Sequence, residues 1–226
     1  MKKKLALIFV LGVAIAAMMS YMGVDVKAGG ISIQLLIVIA VVVLIVIFFV
    51  ANILGYQKFN QQLGTAMEAM RDGNISRYME LLDDMLRSTK DPNKKRILTV
   101  NQALGYAKQK QFAEAAELME RIDLRGLTGL NLTIYYIDYA YYCFRGGRTE
   151  KGLAVLEKNR QQIEKFRNHP HIAGLVCIVD VYDAWARGAA TADLAKRART
   201  VCRGTDFEDD YKELAQFLKK QSEKDQ

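Results

Sequence analysis

Residues 31–54 form a run of 24 residues without a charged side chain, and no other feature limits the chain as much. At about 1.5 Å per residue, a helix of that length reaches roughly 36 Å, against a hydrocarbon core about 30 Å thick. Nineteen of the 24 are Leu, Ile, Val or Phe, which together favour insertion by on the order of 9 kcal/mol. Ser32, Gln34 and Asn52 lie near the ends of the run, where a polar side chain costs little. The run predicts a transmembrane helix, with residues 55–226 forming one domain of ordinary size outside the bilayer.

A second apolar stretch, residues 5–22, follows the basic start Lys2-Lys3-Lys4. It reads as a first transmembrane helix, joined to the second through the turn Gly23 to Gly30. The alternative is a signal peptide cleaved near Val26-Lys27-Ala28. Both readings put residues 55–226 on the same side. Lys2 to Lys4 hold the N-terminus in the cytoplasm, the first span runs outward, and the second returns. The expected organisation is a membrane anchor over 1–54, with spans over 5–22 and 31–54, and a cytoplasmic domain over 55–226. The protein is thus expected in the cell membrane as a multi-pass chain. Neither span carries an ionisable group in its interior, which argues for an anchor and against an ion or proton path.

The domain itself reads as all-α. Pro92 and Pro170 are the only prolines, and strand-like alternation is missing. The net charge of +7 is spread. Setting aside Lys2, Lys3, Lys4, Lys27 and Asp25 leaves 28 basic against 24 acidic residues, the balance of a solvated surface. Cys143, Cys177 and Cys202 are far apart, with no C-x-x-C pair and no zinc spacing. They read as reduced, isolated core positions.

Past residue 55 a turn recurs between helical segments, at Arg71-Asp72-Gly73-Asn74, Lys108-Gln109-Lys110-Gln111, Arg145-Gly146-Gly147-Arg148 and Arg187-Gly188-Ala189-Ala190. With Gly73, Lys110, Gly147 and Gly188 as equivalents, the steps are 37, 37 and 41 residues. Such a period is the mark of stacked helix pairs, each too poor in apolar surface to stand alone. Ile97, Val100, Leu104 and Ala107 precede the second turn at helical spacing; Phe112, Ala115, Ala116, Leu118, Met119 and Ile122 follow it. A last segment, 206–221, carries Tyr211, Leu214, Ala215 and Leu218 on one face and charges on the other, as a capping helix would, with Thr205 or Asp206 expected as its N-cap.

On these residues the chain resembles the tetratricopeptide repeat family. The match is carried by Asn101-Gln102-Ala103-Leu104-Gly105-Tyr106 with Phe112, Ala115 and Met119, and by Ala140, Gly147, Gly152 and Leu156 in the next unit. The resemblance covers roughly residues 57–204. It departs from the family in its period, longer than 34, and in Tyr78, which stands where a small residue is usual. What it implies is an α-solenoid whose first helices line a concave, peptide-binding face. Asn101 takes the position of an asparagine that hydrogen-bonds a bound peptide's backbone, while Gly64 and Asp138 occupy the matching positions in the neighbouring units. Lys108 and Arg145 would neutralise a partner carboxylate, with Tyr141 beside them.

Motifs for chemistry are poor. His169 and His171 flank Pro170 and share no helix face. No nucleophile elbow, phosphate loop, H-E-x-x-H or dinucleotide fingerprint occurs. No cofactor or metal is expected, and the chain does not read as an enzyme. Tyr135, Tyr136, Tyr139, Tyr141, Tyr142 and Phe144 crowd one segment. Without a basic stripe they read as packing, so nucleic acid is not an expected partner. The combined expectation is a membrane-anchored interaction scaffold or adaptor of bacterial type, with Asn101, Lys108, Tyr141 and Arg145 as partner-binding residues. Its expected partners are a protein or peptide and the lipid bilayer. The alternative is an accessory or assembly subunit of a larger membrane complex.

Overall fold

The computed structural model describes residues 27–28 and 31–223. The span expected over 5–22, and most of the turn after it, lie outside these residues. The chain divides into two compact units, Met1–Gly64 and Thr65–Gln226.

In the first unit, Lys27–Ala28 (β1) pairs antiparallel with Ile31–Ser32 (β2). Helix α1 therefore begins at Ile33, two residues later than the apolar run, and continues to Arg71. Gly55 and Gly64 lie inside this one helix, and a Cβ at either would meet nothing within 4 Å. Side chains from Ile39 (50% exposed) to Leu54 (58% exposed) form a surface of aliphatic and aromatic groups. Asn52, the polar residue within it, donates its Nδ2 hydrogen to the Phe48 carbonyl at 2.6 Å, which satisfies the amide inside its own helix. Among the described residues α1 is the one helix long and apolar enough to cross a membrane.

The second unit is helical throughout its described residues. After the end of α1 come α2 (Ile75–Ser88), α3 (Pro92–Lys108), α4 (Phe112–Glu120), α5 (Gly129–Arg145), α6 (Thr149–Phe166), α7 (Ala173–Ala186), α8 (Ala192–Cys202) and α9 (Glu208–Ser222). Local chemistry sets several starts. The Asn74 side chain accepts from the Arg77 amide to cap α2. Asp91 accepts from the Asn93 amide to cap α3, with Pro92 at its first position. The start of α9 differs from expectation: Phe207 is its N-cap residue. Thr205 lies two residues earlier, its hydroxyl accepting from the Phe207 amide at 3.2 Å.

The recurring turn is one structure repeated four times. Gly73, Lys110, Gly147 and Gly188 all sit in the left-handed region, with φ of 78°, 64°, 75° and 68°. Each is followed by an amide that reaches back five residues: Asn74 to Ala69, Gln111 to Tyr106, Arg148 to Cys143 and Ala189 to Ala184. This is the glycine-type helix stop that satisfies otherwise orphaned carbonyls. Lys110 is the one non-glycine residue with positive φ among the described residues.

Successive helices pack in chain order from α2 to α9, and the first helices of neighbouring pairs also pack together, α3 on α5 and α5 on α7. Close approach depends on small residues. A Cβ on Gly105 would run into the Met79 sulfur and come within 3.1 Å of the Tyr78 ring, so glycine there eases the approach of α2 to α3. Tyr78 is fully buried, and its hydroxyl donates to the Asn101 carbonyl at 2.7 Å. The central helices α5 and α7 bury nine residues each. Cys143, Cys177 and Cys202 are free and buried. Burial pushes the Cys143 and Cys202 thiols up to about 11, so their reactive thiolate forms are suppressed.

Candidate functional site

Helices favour cations in their last turn, where unpaired carbonyls carry partial negative charge. Lys108 closes α3 and Arg145 closes α5 in this way. Because α3 packs beside α5, the two cations come to one side of the unit, with Tyr141 one turn before Arg145. The Arg145 guanidinium lies over the Phe112 ring, 4.2 Å from its centroid, and donates to the Tyr141 hydroxyl at 2.8 Å. Phe112 and Tyr141 meet edge to face at 6.0 Å.

This cluster is occupied by the chain itself. Helix α9 brings Asp210 and Glu213 onto it. The Asp210 carboxylate accepts from the Tyr141 hydroxyl at 3.0 Å and from Lys108 at 3.3 Å. The Glu213 carboxylate accepts from Arg145 at 2.6 Å and pairs with Lys110 at 3.2 Å. Burial works against the Glu213 charge, but the hydrogen bonds from Arg145 and Lys110 together hold its carboxyl below the usual range. One turn further along α9, Phe217 meets the Tyr182 ring at 5.2 Å and the Trp185 ring edge-on at 4.7 Å. Leu214, between these contacts, is fully buried. Thus α9 lies across the ends of α3, α5 and α7, carboxylates at one end and an aromatic ring at the other.

Of the expected partner-binding residues, the structure brings Lys108, Tyr141 and Arg145 together and leaves Asn101 apart from them. The Asn101 side chain donates to the Ile97 carbonyl at 2.8 Å, and the Tyr78 hydroxyl approaches its Oδ1 at 3.4 Å. Its polar groups thus serve the contact between α2 and α3. Asp210, Glu213 and Lys110 complete the cluster. The sequence shows their spacing on α9 and in the turn, but not which helix ends they meet. Asp138, on α5, holds the repeat position that matches Asn101. Burial pushes its carboxyl up to about 7, with the Asp210 charge adding to the rise and Lys108 opposing it. Its charge also raises the phenols of Tyr78 and Tyr142, beyond the rise that burial causes.

His169 and His171 lie in the turn between α6 and α7 with ring centroids 5.3 Å apart. No group of three or more His, Cys, Asp or Glu side chains able to hold a metal ion occurs among the described residues. The arrangement as a whole is suited to holding carboxylates beside aromatic rings. Comparisons with protein-family models, with curated proteins and with solved structures return no match.

Proposed function

We propose that this chain is a membrane-anchored interaction scaffold or adaptor, in which a hairpin of spans over 5–22 and 31–54 holds a tetratricopeptide-like solenoid at the cytoplasmic surface to recruit a protein or peptide partner. The observation that carries the reading is the exposed apolar surface of α1, covalently continuous with an array of helix pairs. Exposed apolar area of that extent needs lipid or protein to cover it. The four matching turns and the side-by-side packing of α3, α5 and α7 support the solenoid reading. A second reading, an accessory subunit whose spans pack inside a larger complex, draws on the same uncharged surface, which suits neighbouring spans as well as lipid.

The test begins with membranes washed at alkaline pH. The intact chain stays with the lipid, and Val46→Arg, costing about 2.5–3.5 kcal/mol at a span centre, shifts it strongly to the wash. Photo-crosslinking in cells from exposed positions on α3 and α5 then captures a partner. A stoichiometric membrane partner retained after deletion of residues 57–226 favours the accessory subunit. An intact chain found freely in the wash overturns both.

A further inference from the structure

We infer that the surface formed by Lys108, Lys110, Tyr141, Arg145, Tyr182 and Trp185 is a binding site for an acidic amphipathic helix of a partner protein, and that α9 occupies this site until the partner displaces it. The inference rests on the interaction-module reading above. Helix α9 defines the chemistry of the occupant. Asp210, Glu213 and Phe217, spaced three and then four residues apart, lie along one helical stripe. They place two carboxylates on four cationic or phenolic donors and one ring between Tyr182 and Trp185. A partner helix with the same spacing makes the same contacts, as amphipathic helices do when they fill a groove.

Three observations mark α9 as the displaceable element. It buries one residue, Leu214, where α5 and α7 each bury nine. Its lysine contacts keep access to water, since the Lys110 side chain is 72% exposed and the Lys108 side chain 34%, whereas the Arg145–Glu213 pair is more enclosed, at 17% and 30%. The exposed pairs weaken with salt. It is joined to α8 through a short turn in which Gly204 has φ of 70°, a conformation that glycine adopts freely.

The probe is a fluorescein-labelled peptide of residues 206–222, added to the full chain in detergent micelles. The double variant Asp210→Asn with Glu213→Gln weakens the internal contact while keeping side-chain shape. It is expected to bind the peptide at least ten-fold more tightly than the unaltered chain. Adding Arg145→Glu to that variant abolishes the gain, as does a peptide carrying the same two neutral substitutions. Equal binding by the unaltered and double-variant chains overturns the inference, as does equal binding of the neutral peptide. Hydrogen exchange on the unaltered chain gives a readout that needs no variant. In 0.5 M salt, or with excess unlabelled peptide, the α9 amides lose protection while those of α3, α5 and α7 keep it. If α9 opens only when the whole unit unfolds, the inference fails. Association of the double variant into dimers by exchange of α9 also overturns it, because the occupant is then a second copy. Partners crosslinked in cells to another face, with no peptide binding here, would remove this site and leave the interaction-module reading standing.

Discussion

Among the described residues, α7 and the first part of α1 are apolar nearly all the way round, and they end in opposite surroundings. In α7 (Ala173–Ala186), nine of 14 residues are buried by other helices. In α1, from Ile39 to Leu54, the large apolar side chains remain about half exposed or more at most positions. Length separates the two. Fourteen residues of helix reach roughly 21 Å, too short for a hydrocarbon core, so α7 must find its apolar surroundings within the protein. Its sequence also carries Asp180 and Asp183, and Asp183 is paired with Arg187 at 2.9 Å. No charge interrupts α1 before Lys58. A helix that is apolar all round signals burial of some kind; its length and charge determine whether protein or lipid does the burying.

The sharpest way to break this contrast is to truncate one side chain on each helix. Ile178 is fully buried in α7, and Ile178→Ala should cost about 2–4 kcal/mol through lost contacts and the cavity left behind. Leu44 is 60% exposed, and Leu44→Ala should change the unfolding of residues 65–226 by less than about 0.5 kcal/mol. Chemical denaturation in micelles, followed by the fluorescence of Trp185, measures both. Similar losses for the two variants would mean that protein and not solvent or lipid surrounds Leu44.

The same contrast of surroundings can be read from single charges within the second unit. Asp138 titrates near 7 in the fold, against an ordinary value of 3.8, because burial penalises its charge. Below about pH 4 it is neutral in both folded and unfolded chains. As pH rises to 7 the unfolded chain ionises while the folded one resists, so stability falls across that window. Asp138→Asn stays neutral and should stabilise the fold by about 1–2 kcal/mol at pH 8, with the gain vanishing near pH 4. Melting curves across pH 4–8 check it, and a gain that is flat with pH would contradict a buried carboxyl.

Glu120 should show the opposite slope and the smallest effect. Hydrogen bonds from Lys151 and Arg148 lower its carboxyl to about 2. Their contribution is present above about pH 4.5 and is lost as pH falls toward 2. The Glu120 side chain is 41% exposed, so solvent screening discounts the pair heavily. Glu120→Gln should cost less than about 1 kcal/mol at neutral pH, and nothing measurable in 1 M salt. A larger or salt-independent loss would show that these charges are more enclosed than their exposure indicates.

Much of the helical layout was legible because it depends on local rules. The turn equivalence found from spacing alone picks out four of the seven described residues with left-handed backbone, including Lys110, which no glycine rule would select. Of the apolar faces expected around the second turn, Val100, Ala107, Phe112, Ala115, Ala116 and Met119 are buried, while Ile97, Leu104, Leu118 and Ile122 are half-buried. The candidate site was legible only by half. Lys108, Tyr141 and Arg145 were named through the resemblance to a repeat family, and they do lie together. Their occupant could not be named, because Asp210 lies 102 residues from Lys108 in sequence. Acidic residues in a first turn are also explained by the helix dipole alone. Asn101 was assigned by analogy to a ligand, but its amide is used within the fold. Tyr78, the residue that departs from the repeat pattern, is its neighbour there.

The sequence by itself determined that residues 65–223 are helical, where four of the helices stop, and that residues 31–54 demand an apolar environment. These follow from composition and from interactions within a few residues. Only the tertiary structure decided that the cations closing α3 and α5 meet the carboxylates of α9, and that desolvation raises the Asp138 carboxyl while hydrogen bonds lower that of Glu120. Desolvation and charge pairing depend on which distant surfaces the packing brings together, and that information resides in no single stretch of chain.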